Sequence, residues 1–243
     1  PDVATQARAL RAANTRANLE NELFGMYMDD NFIAKAEAWK QRHGGKKAGY
    51  REMIPGDDFD LGEDGSALYY ADWDVVGIMF RDWKPAQSHN ISIQGTSGKT
   101  SYFLSVGYNH EEGVMTFNPD KLNKYNANMN VTSDITNWLQ IGGRFSYSDK
   151  AYTTPNTRRN TYTYMWRWGS FFGPYGTYQG IDMKNDIAYL KQAGDDKTND
   201  SYTRIGAFLK ATIIKGLTLN ADYTFNINNK TTKSVGLPVI CWN

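Results

Sequence analysis

Residues 124–132 have the sequence KYNANMNVT, in which apolar or aromatic side chains alternate with polar ones. Tyr125, Ala127, Met129 and Val131 occupy every second position of this stretch. Successive side chains of a β-strand point to opposite faces, so a period of two indicates a strand with one apolar and one polar face. An amphipathic α-helix would instead repeat its apolar positions every three to four residues.

Five further stretches show the same alternation, which predicts six strands in all. Their more apolar positions, in chain order, are His89, Ile91, Ile93 and Gly95; Tyr102, Leu104, Val106 and Tyr108; Leu139, Ile141, Gly143, Phe145 and Tyr147; Ile205, Ala207, Leu209, Ala211 and Ile213; and Leu217, Leu219, Ala221, Tyr223, Phe225 and Ile227. Because six alternating runs rarely arise by chance, we predict an all-β chain with an antiparallel sheet.

The links between these strands alternate between short and long. The short links are Ser97-Gly98, Ser133 to Asn137 and Lys215-Gly216, and the long ones are His110 to Leu122 and Asp149 to Asp200. Brief periplasmic turns and long outside loops are typical of a transmembrane β-barrel in an outer membrane. The pattern predicts that the second, fourth and sixth strands run outward, which places the N-terminal region on the outer side.

Strand length and aromatic placement favour a membrane barrel. The runs are about 9–12 residues long, which suits a tilted membrane strand better than a globular strand of about 5–6 residues. Aromatic side chains near the ends of the apolar faces fit interfacial girdles: Tyr102, Tyr108, Tyr125, Tyr147, Tyr223 and Phe225. A mean hydropathy of -0.62 is compatible with a barrel, since lipid-facing and lumen-facing residues alternate. The alternative is a soluble antiparallel sandwich or barrel.

Six strands are too few to close a membrane barrel, because known single-chain examples begin at about eight. An open edge in lipid leaves backbone N–H and C=O groups without hydrogen-bond partners. We therefore expect this chain to supply one part of a larger barrel.

This interpretation divides the chain into five regions. Residues 1–87 form an extracellular insertion with helices, 88–148 four barrel strands and 149–200 a long aromatic-rich extracellular loop. Residues 201–228 form a barrel hairpin, and 229–243 begin the next extracellular loop.

Helix-forming residues dominate positions 4–42, where no proline occurs, and Gly44-Gly45 ends the pattern. The two predicted apolar faces consist of Leu10, Leu19, Leu23 and Phe24, and of Ile33, Ala36 and Trp39. We therefore predict that this whole region is helical.

Composition excludes several classes of function. The net charge of +1 gives no electrostatic field for nucleic acid, and the single Cys241 excludes a disulfide framework or a cysteine-rich metal site. No apolar run approaches the ~20 residues of a membrane-spanning helix. No Gly-x-Ser-x-Gly elbow, P-loop or zinc signature occurs. We therefore expect no enzymatic activity, no cofactor and no metal site.

The long link at 149–200 is the predicted ligand-contacting region. It is rich in aromatic side chains with arginines between them, and the predicted substrate-binding residues are Trp166, Arg167, Trp168, Phe171, Phe172, Tyr175 and Tyr178. Aromatic faces stack on sugar rings or peptide side chains, and guanidinium groups supply planar donors. Two alternatives stay open. The rings pack the loop against itself, the barrel wall or a partner, or the alternation of Tyr162, Tyr164, Trp166 and Trp168 marks a further strand.

Two polar sets are further candidates. The predicted lumen-facing residues, which would line an import path, hydrate the interior or hold a plug, are Asn126, Asn128, Asn130, Arg144, Lys210 and Asp222. Clustered carboxylates, which suggest calcium, are Asp57, Asp58, Asp60, Glu63 and Asp64. Their spacing departs from an EF-hand, so a solvated acidic loop is the favoured interpretation.

Several segments resemble the SusC/RagA family of TonB-dependent outer-membrane transporters. These segments are 72–73 (DW), 85–93 (PAQSHNISI), Gly95, 99–108 (KTSYFLSVGY), 112–113 (EG), 138–142 (WLQIG) and, more weakly, 215–219 (KGLTL). Residues 1–66 and 149–200 match no motif of the family, as expected for outside loops that vary with substrate.

The resemblance implies a barrel of about 22 strands in the outer membrane of a Gram-negative bacterium. A plug and a TonB box are implied as well, and we expect them outside these residues. The implied partners are a SusD-like surface lipoprotein that acts as a lid and the TonB–ExbB–ExbD system. The implied function is uptake of an oligosaccharide or a peptide. Two alternatives are a non-transporting, adhesin-like outer-membrane barrel and a secreted soluble β-domain that binds carbohydrate.

Overall fold

The computed structural model describes residues 2–23, 26–61, 67–167 and 174–242. In chain order, its elements are α1 (Val3–Arg16), β1 (Glu22–Leu23), β2 (Met26–Tyr27), α2 (Asp30–Arg42), β3 (Phe59–Leu61), β4 (Ala67–Tyr69), α3 (Val75–Met79), β5 (Ala86–Ser97), β6 (Thr100–Glu112), β7 (Lys121–Asp134), β8 (Leu139–Pro155), α4 (Arg158–Arg167), β9 (Thr177–Tyr178), β10 (Ile181–Asp182), α5 (Asp186–Gln192), β11 (Asp195–Ile214) and β12 (Leu217–Ser234). None of the described helices has the length and apolar character needed to cross a membrane.

The six long strands form one antiparallel sheet in the order β5-β6-β7-β8-β11-β12. This arrangement confirms the predicted six-stranded antiparallel sheet. Each long strand lies beside the long strand that precedes it along the chain, and only small elements intervene between β8 and β11. Within the described residues the sheet is open, with β5 and β12 at its edges.

Two tight turns of this sheet depend on glycine. Gly98 lies in the two-residue link between β5 and β6 with a φ of 59°, and Gly216 ends the link between β11 and β12 with a φ of 89°. Glycine adopts this left-handed region without the steric cost that a Cβ imposes. These residues therefore fix the short links that the sequence predicted.

The register aligns the apolar positions of all six strands. One row crosses the sheet from β5 to β12 through Ile93, Leu104, Met129, Phe145, Ile205 and Phe225. Residues directly opposite each other in a sheet lie on the same face, so the six apolar faces form one continuous surface. Ile93, Leu104 and Met129 are 57%, 43% and 40% exposed, because no described element covers this face.

The opposite face is polar along the same rows. The row one residue away from this apolar row passes through Ser92, Ser105, Asn128, Ser146, Arg204 and Asn226. The row three residues away passes through Asn90, Gly107, Asn126, Ser148, Tyr202 and Asn228. A shift of register by one residue would mix the two faces on any strand. The sheet thus has one apolar and one polar surface.

Several strands are longer than the alternation predicted. β8 continues to Pro155, β11 begins at Asp195 and β12 continues to Ser234, so these strands run past the predicted loop boundaries at 149, 200 and 229. Thr153, Lys197 and Lys233 form one row in these extensions, on the same side as the apolar face. Because both faces of the extensions are polar, no period of two in hydropathy marks them.

A compact unit beside the sheet contains α1, α2 and the described parts of residues 44–83. In α2, Asp29 caps the helix by accepting a hydrogen bond from the backbone N–H of Phe32 at 2.7 Å. The predicted face of Ile33, Ala36 and Trp39 is buried in the core of this unit. Burial of this face explains the position of α2 more directly than its helix propensity does.

The prediction of one helical region over 4–42 is wrong, since α1 ends at Arg16 and a short hairpin precedes α2. Asn18 has a φ of 55°, which a continuing helix does not allow. Leu19, assigned to the first apolar face, is 64% exposed outside both helices. Leu10 packs against the core, and Phe24 lies outside the described residues.

Part of the long link joins this unit. Isolated bridges pair Ala48 with Trp73 and Glu52 with Thr177. A Cβ at Gly176 would lie 2.5 Å from the backbone oxygen of Arg51, so glycine permits this close approach. Two segments that are far apart in sequence therefore share one hydrophobic core.

Candidate functional site

Hydrogen bonds link the polar face from strand to strand. The side-chain amide of Asn128 on β7 donates to the Ser105 hydroxyl on β6 at 3.4 Å. On its other side, Ser146 on β8 donates to the Asn128 amide oxygen at 2.8 Å. The row continues on β11, where Nε of Arg204 donates to the amide oxygen of Asn226 at 3.0 Å. This surface offers amide, hydroxyl and guanidinium groups to whatever faces it.

An ion pair crosses the polar face over a glycine. Nη1 of Arg144 on β8 lies 3.1 Å from Oδ2 of Asp222 on β12, although β11 separates the two strands. Arg144 is opposite Gly206, which has no side chain to block this path. The guanidinium carbon of Arg144 also lies 4.6 Å from the ring centroid of Phe208. Small and aromatic neighbours therefore orient the charge of Arg144.

The predicted lumen-facing residues share this one face. Asn126, Asn128 and Asn130 alternate along β7, and the register places Asn130 opposite Arg144. Asp222 joins the same face through its ion pair with Arg144. Contact of these residues with a plug or a cargo stays a prediction.

A cleft of about 480 Å³ lies at the end of the sheet where β8 ends and β11 begins. Its charged lining residues are Asp120, Arg158, Arg159 and Asp196, and its apolar wall includes Phe80, Val114, Met115, Pro155 and Tyr162. Thr154 also lines the cleft and lies opposite Asp196 in the register. Both follow the alternation of the polar face, so the cleft opens on that side of the sheet.

One ion pair is built into the cleft wall. Nη1 of Arg158 lies 3.4 Å from Oδ2 of Asp120, and Arg158 also donates to the Tyr152 hydroxyl. The hydroxyl of Tyr152 in turn donates to the same carboxylate at 2.9 Å. Among the described residues, neither Arg159 nor Asp196 has an ion-pair partner. Within the part of the chain that the structure describes, the cleft therefore presents one cation and one anion without an opposite charge.

The alternative of a further strand at Tyr162 to Trp168 is wrong for the described residues. Residues Arg158–Arg167 form helix α4, in which the Thr163 hydroxyl donates to the backbone oxygen of Arg159 at 2.9 Å. The alternation of aromatic and polar residues spans too few positions here to separate a strand from a helix. The helix places Tyr162 at the cleft, where its ring lies 6.5 Å from that of Phe80.

Of the seven predicted substrate-binding residues, only Tyr175 and Tyr178 have side chains that the structure describes. Trp168, Phe171 and Phe172 lie outside the described residues, as do the side chains of Trp166 and Arg167. Their contact with substrate stays a prediction.

Tyr175 and Tyr178 pack against other parts of the chain, and their contact with substrate stays a prediction. The ring of Tyr175 is buried in the core of the compact unit, and this burial raises the pKa of its hydroxyl above the usual value. The ring of Tyr178 packs 5.2 Å from Phe59 and 5.3 Å from Trp242. In this arrangement both rings join the long link to the rest of the chain.

The interpretation of a solvated acidic loop is wrong for its described members. Asp57 pairs with Arg42, Asp60 pairs with Lys35, and Asp58 pairs with Arg51. Glu63 and Asp64 lie outside the described residues. Ion pairs to cations from α2 and from the adjoining segment explain the carboxylate cluster.

The cluster of His43, Asp57 and Asp58 is compact enough to hold a metal ion. However, both oxygens of Asp58 accept hydrogen bonds from the Arg51 guanidinium, at 2.6 and 2.7 Å. Nε2 of His43 lies 2.9 Å from Oδ2 of Asp57. A cation here would compete with these donors, so we assign the cluster a structural role.

Sequence reasoning did not identify the cleft. Its charged residues, Asp120 and Asp196, are brought together by strand pairing, and Arg158 by helix α4. The sequence pattern predicts for these arginines only a role as donors between aromatic residues. No spacing in the sequence signals a site of this kind.

Five solved chains match this chain, among them two from RagAB structures. The RagAB peptide importer in its closed-closed state matches with a TM-score of 0.57 and 18% identity, over 96% of this chain and 26% of that one. The RagAB peptide transporter matches with a TM-score of 0.49 and 22% identity, over 65% of this chain and 19% of that one. No protein-family model matches, and no curated protein matches. The chain thus shares its fold with part of the importer and spans 26% of its length.

Proposed function

We propose that this chain forms part of the wall of an outer-membrane transporter, with its apolar face toward lipid and its polar face toward the lumen. The uncovered apolar surface of the sheet is the observation that carries this proposal. Fully burying a large apolar side chain is worth about 1.5–3 kcal/mol, so a broad exposed face is costly in water. A lipid surround removes that cost.

The cargo we propose is a peptide, with an oligosaccharide as the second candidate. The structural neighbours are a peptide importer and a peptide transporter, which favours the peptide. Energy would come from TonB–ExbB–ExbD, and a SusD-like lipoprotein would act as a lid, as the family resemblance implies. The edges of β5 and β12 would pair with further strands, since unpaired backbone groups are costly in lipid.

Two alternatives predict different behaviour. A soluble carbohydrate-binding domain needs a cover over its apolar face, and no described element supplies one. An adhesin-like barrel would have the same wall but no uptake. Only transport measurements separate this second alternative from the proposed function.

The orientation of the wall is tested with nitroxide labels on two adjacent residues of β7. Met129 lies on the apolar face and Asn128 on the polar face, so Met129→Cys and Asn128→Cys are a matched pair. Each is made in a Cys241→Ser background, because Cys241 is the single cysteine of the chain. In a bilayer, we expect the label at 129 to be reached by oxygen and the label at 128 by a water-soluble nickel chelate. Equal or reversed accessibility would contradict the proposal.

Transport is tested in cells that lack the gene. We expect them to lose uptake of a fluorescent peptide mixture and to regain it with the intact gene. The same loss is expected when TonB is absent. Unchanged uptake in the deletion strain, with normal surface binding in the parent, would favour the adhesin-like alternative.

A further inference from the structure

We infer that the cleft between β8, α4 and β11 is a subsite for a zwitterionic segment of peptide cargo. Arg159 would bind a carboxylate of the cargo, and Asp196 would bind an ammonium group. This inference rests on the proposed function, because it concerns the cargo of the same wall. Arg159 and Asp196 would then determine which chemical class enters the cleft.

The charge balance of the cleft supports this assignment. Its four charged residues are two arginines and two aspartates, so the cleft is neutral overall. The pair of Arg158 and Asp120 is satisfied internally, with Tyr152 as a third member. Among the described residues, Arg159 and Asp196 remain without an opposite charge. A ligand that carries both charges satisfies both of them.

Asp196 and Arg159 both lie in regular secondary structure. Asp196 lies on β11 between Thr154 and Ser234, and its carboxylate accepts a hydrogen bond from the Ser234 hydroxyl. Arg159 lies in the first turn of α4, which has no acidic residue. The ion pair of the neighbouring Arg158 anchors this turn to the wall. The carboxylate of Asp196 is therefore positioned before a ligand arrives, which lowers the entropic cost of binding, while the exposed side chain of Arg159 is accessible to a carboxylate of the cargo.

The size and apolar wall of the cleft suit a short peptide segment. Its volume of about 480 Å³ lies within the range of roughly 300–1,000 Å³ found for small-ligand sites. Phe80, Met115 and Tyr162 supply apolar and aromatic contacts beside the charges. Side chains of a peptide pack against such a wall, and its charged ends reach the two polar groups.

Other cargo chemistries leave part of this site unsatisfied. A neutral glycan would desolvate Arg159 and Asp196 without supplying an opposite charge to either. An acidic glycan would pair with Arg159, but Asp196 would oppose its negative charge. The same charges thus favour a zwitterion over both classes of glycan.

The test measures binding of capped and uncapped peptides to the whole protein, purified in detergent. The probes are tri-alanine with free ends, its C-terminal amide, its N-acetyl derivative, and the neutral sugar cellotriose. The variants are Arg159→Gln and Asp196→Asn, which remove one charge each and keep hydrogen-bonding groups. Lys233→Gln, on the opposite side of β12 from the cleft, removes a charge without touching the subsite.

In the wild type, we expect amidation and acetylation each to weaken binding of tri-alanine by about tenfold, the effect of one lost charge-assisted contact. In Arg159→Gln, amidation should have no effect while acetylation still weakens binding. Asp196→Asn should show the reverse, and Lys233→Gln should match the wild type. The inference is overturned if both variants still distinguish both caps, or if cellotriose binds as tightly as tri-alanine.

The binding and transport experiments can contradict the subsite and the proposed function independently of each other. Peptide that binds with the expected cap dependence but is not imported would leave the subsite standing and remove the transport proposal. Peptide that is imported at rates independent of both caps and of both variants would leave transport standing and remove the subsite.

Discussion

Arg51 holds the carboxylate of Asp58 at two points, with Nη1 at 2.6 Å from Oδ2 and Nη2 at 2.7 Å from Oδ1. The Asp58 side chain is completely buried. It also accepts hydrogen bonds from the Trp39 indole at 2.9 Å and from the backbone N–H of Ile54 at 2.8 Å. Burial by itself raises the pKa of Asp58, but these donors outweigh it and hold the pKa below the usual value.

Arg51→Met is expected to destabilise the compact unit by about 3 kcal/mol, because it leaves a buried carboxylate without its cation. The free energy of unfolding is measured from tryptophan fluorescence in urea, with the protein in detergent. Trp39 and Trp73 lie in the affected core and report on it. Arg42→Gln is the control, since Arg42 pairs with Asp57 at a half-exposed site, where less than about 1 kcal/mol is expected. Equal losses in the two variants would contradict the assigned role of Arg51.

Alanine substitution at two adjacent glycines of β8 is expected to affect stability differently. A Cβ at Gly142 would overlap the Phe208 ring and lie 2.7 Å from the backbone oxygen of Val131, whereas a Cβ at Gly143 would meet only the Gly206 oxygen at 3.9 Å. Gly142→Ala is therefore expected to cost about 1–3 kcal/mol through overpacking, and Gly143→Ala close to nothing. The temperature at which the protein loses its compact form on gel electrophoresis measures the difference. A loss of stability in Gly143→Ala alone would show that the faces are assigned the wrong way round.

The close approach at Gly176 predicts that the long link packs against the core only if residue 176 has no side chain. A Cβ there would lie 2.5 Å from the Arg51 oxygen, 2.8 Å from Met53 and 3.0 Å from Trp73. Gly176→Ala is expected to separate residues 174–192 from the core and to increase their cleavage by protease. Gly49→Ala is the matched control, because nothing lies within 4 Å of its Cβ. Equal protease resistance in both variants would contradict the predicted coupling.

The alternation of Tyr125, Ala127, Met129 and Val131 was sufficient to predict a strand, because one of its faces is apolar and the other polar. The same logic fails where both faces are polar, as at Thr153, Lys197 and Lys233. Backbone hydrogen bonds maintain the pairing there, and a hydropathy pattern does not detect them. Strand existence was therefore predictable, and strand ends were not.

The cleft and the core of the compact unit could not be predicted for a different reason. Asp120 and Asp196 line the same cleft because the strands pair, while Trp39 and Tyr175 belong to one core because distant segments pack together. Neither kind of proximity leaves a local period in the sequence. Aromatic content alone did not distinguish Tyr175, which is buried, from Tyr162, which lines the cleft.

Asp186 and Asp58 are expected to make the free energy of unfolding depend on pH with opposite signs. Burial raises the pKa of Asp186 to about 6 from its usual 3.8. A carboxyl group whose pKa is higher in the folded state than in the unfolded state favours folding when protonated. The contribution of Asp186 to the free energy of unfolding is therefore complete below about pH 4 and is lost as the pH rises through about 6. The contribution of Asp58, whose pKa is lowered, is present above its unfolded pKa and is lost as the pH falls through its folded pKa.

Asp186→Asn is expected to raise the melting temperature of the compact unit at pH 7 by about 2–4 °C and to leave it nearly unchanged at pH 4. The physical reason is that asparagine fits the same partly buried position without a charge to desolvate. The cap of α5 is retained, because Asn185 still accepts from the backbone N–H groups of Ile187 and Ala188 at 2.7 and 2.9 Å. Thermal unfolding followed by tryptophan fluorescence at pH 4, 5, 6 and 7 gives the comparison, with exposed Asp82→Asn as the control. If Asp186→Asn and the wild type keep a constant difference across this range, burial of the Asp186 charge is not the cause.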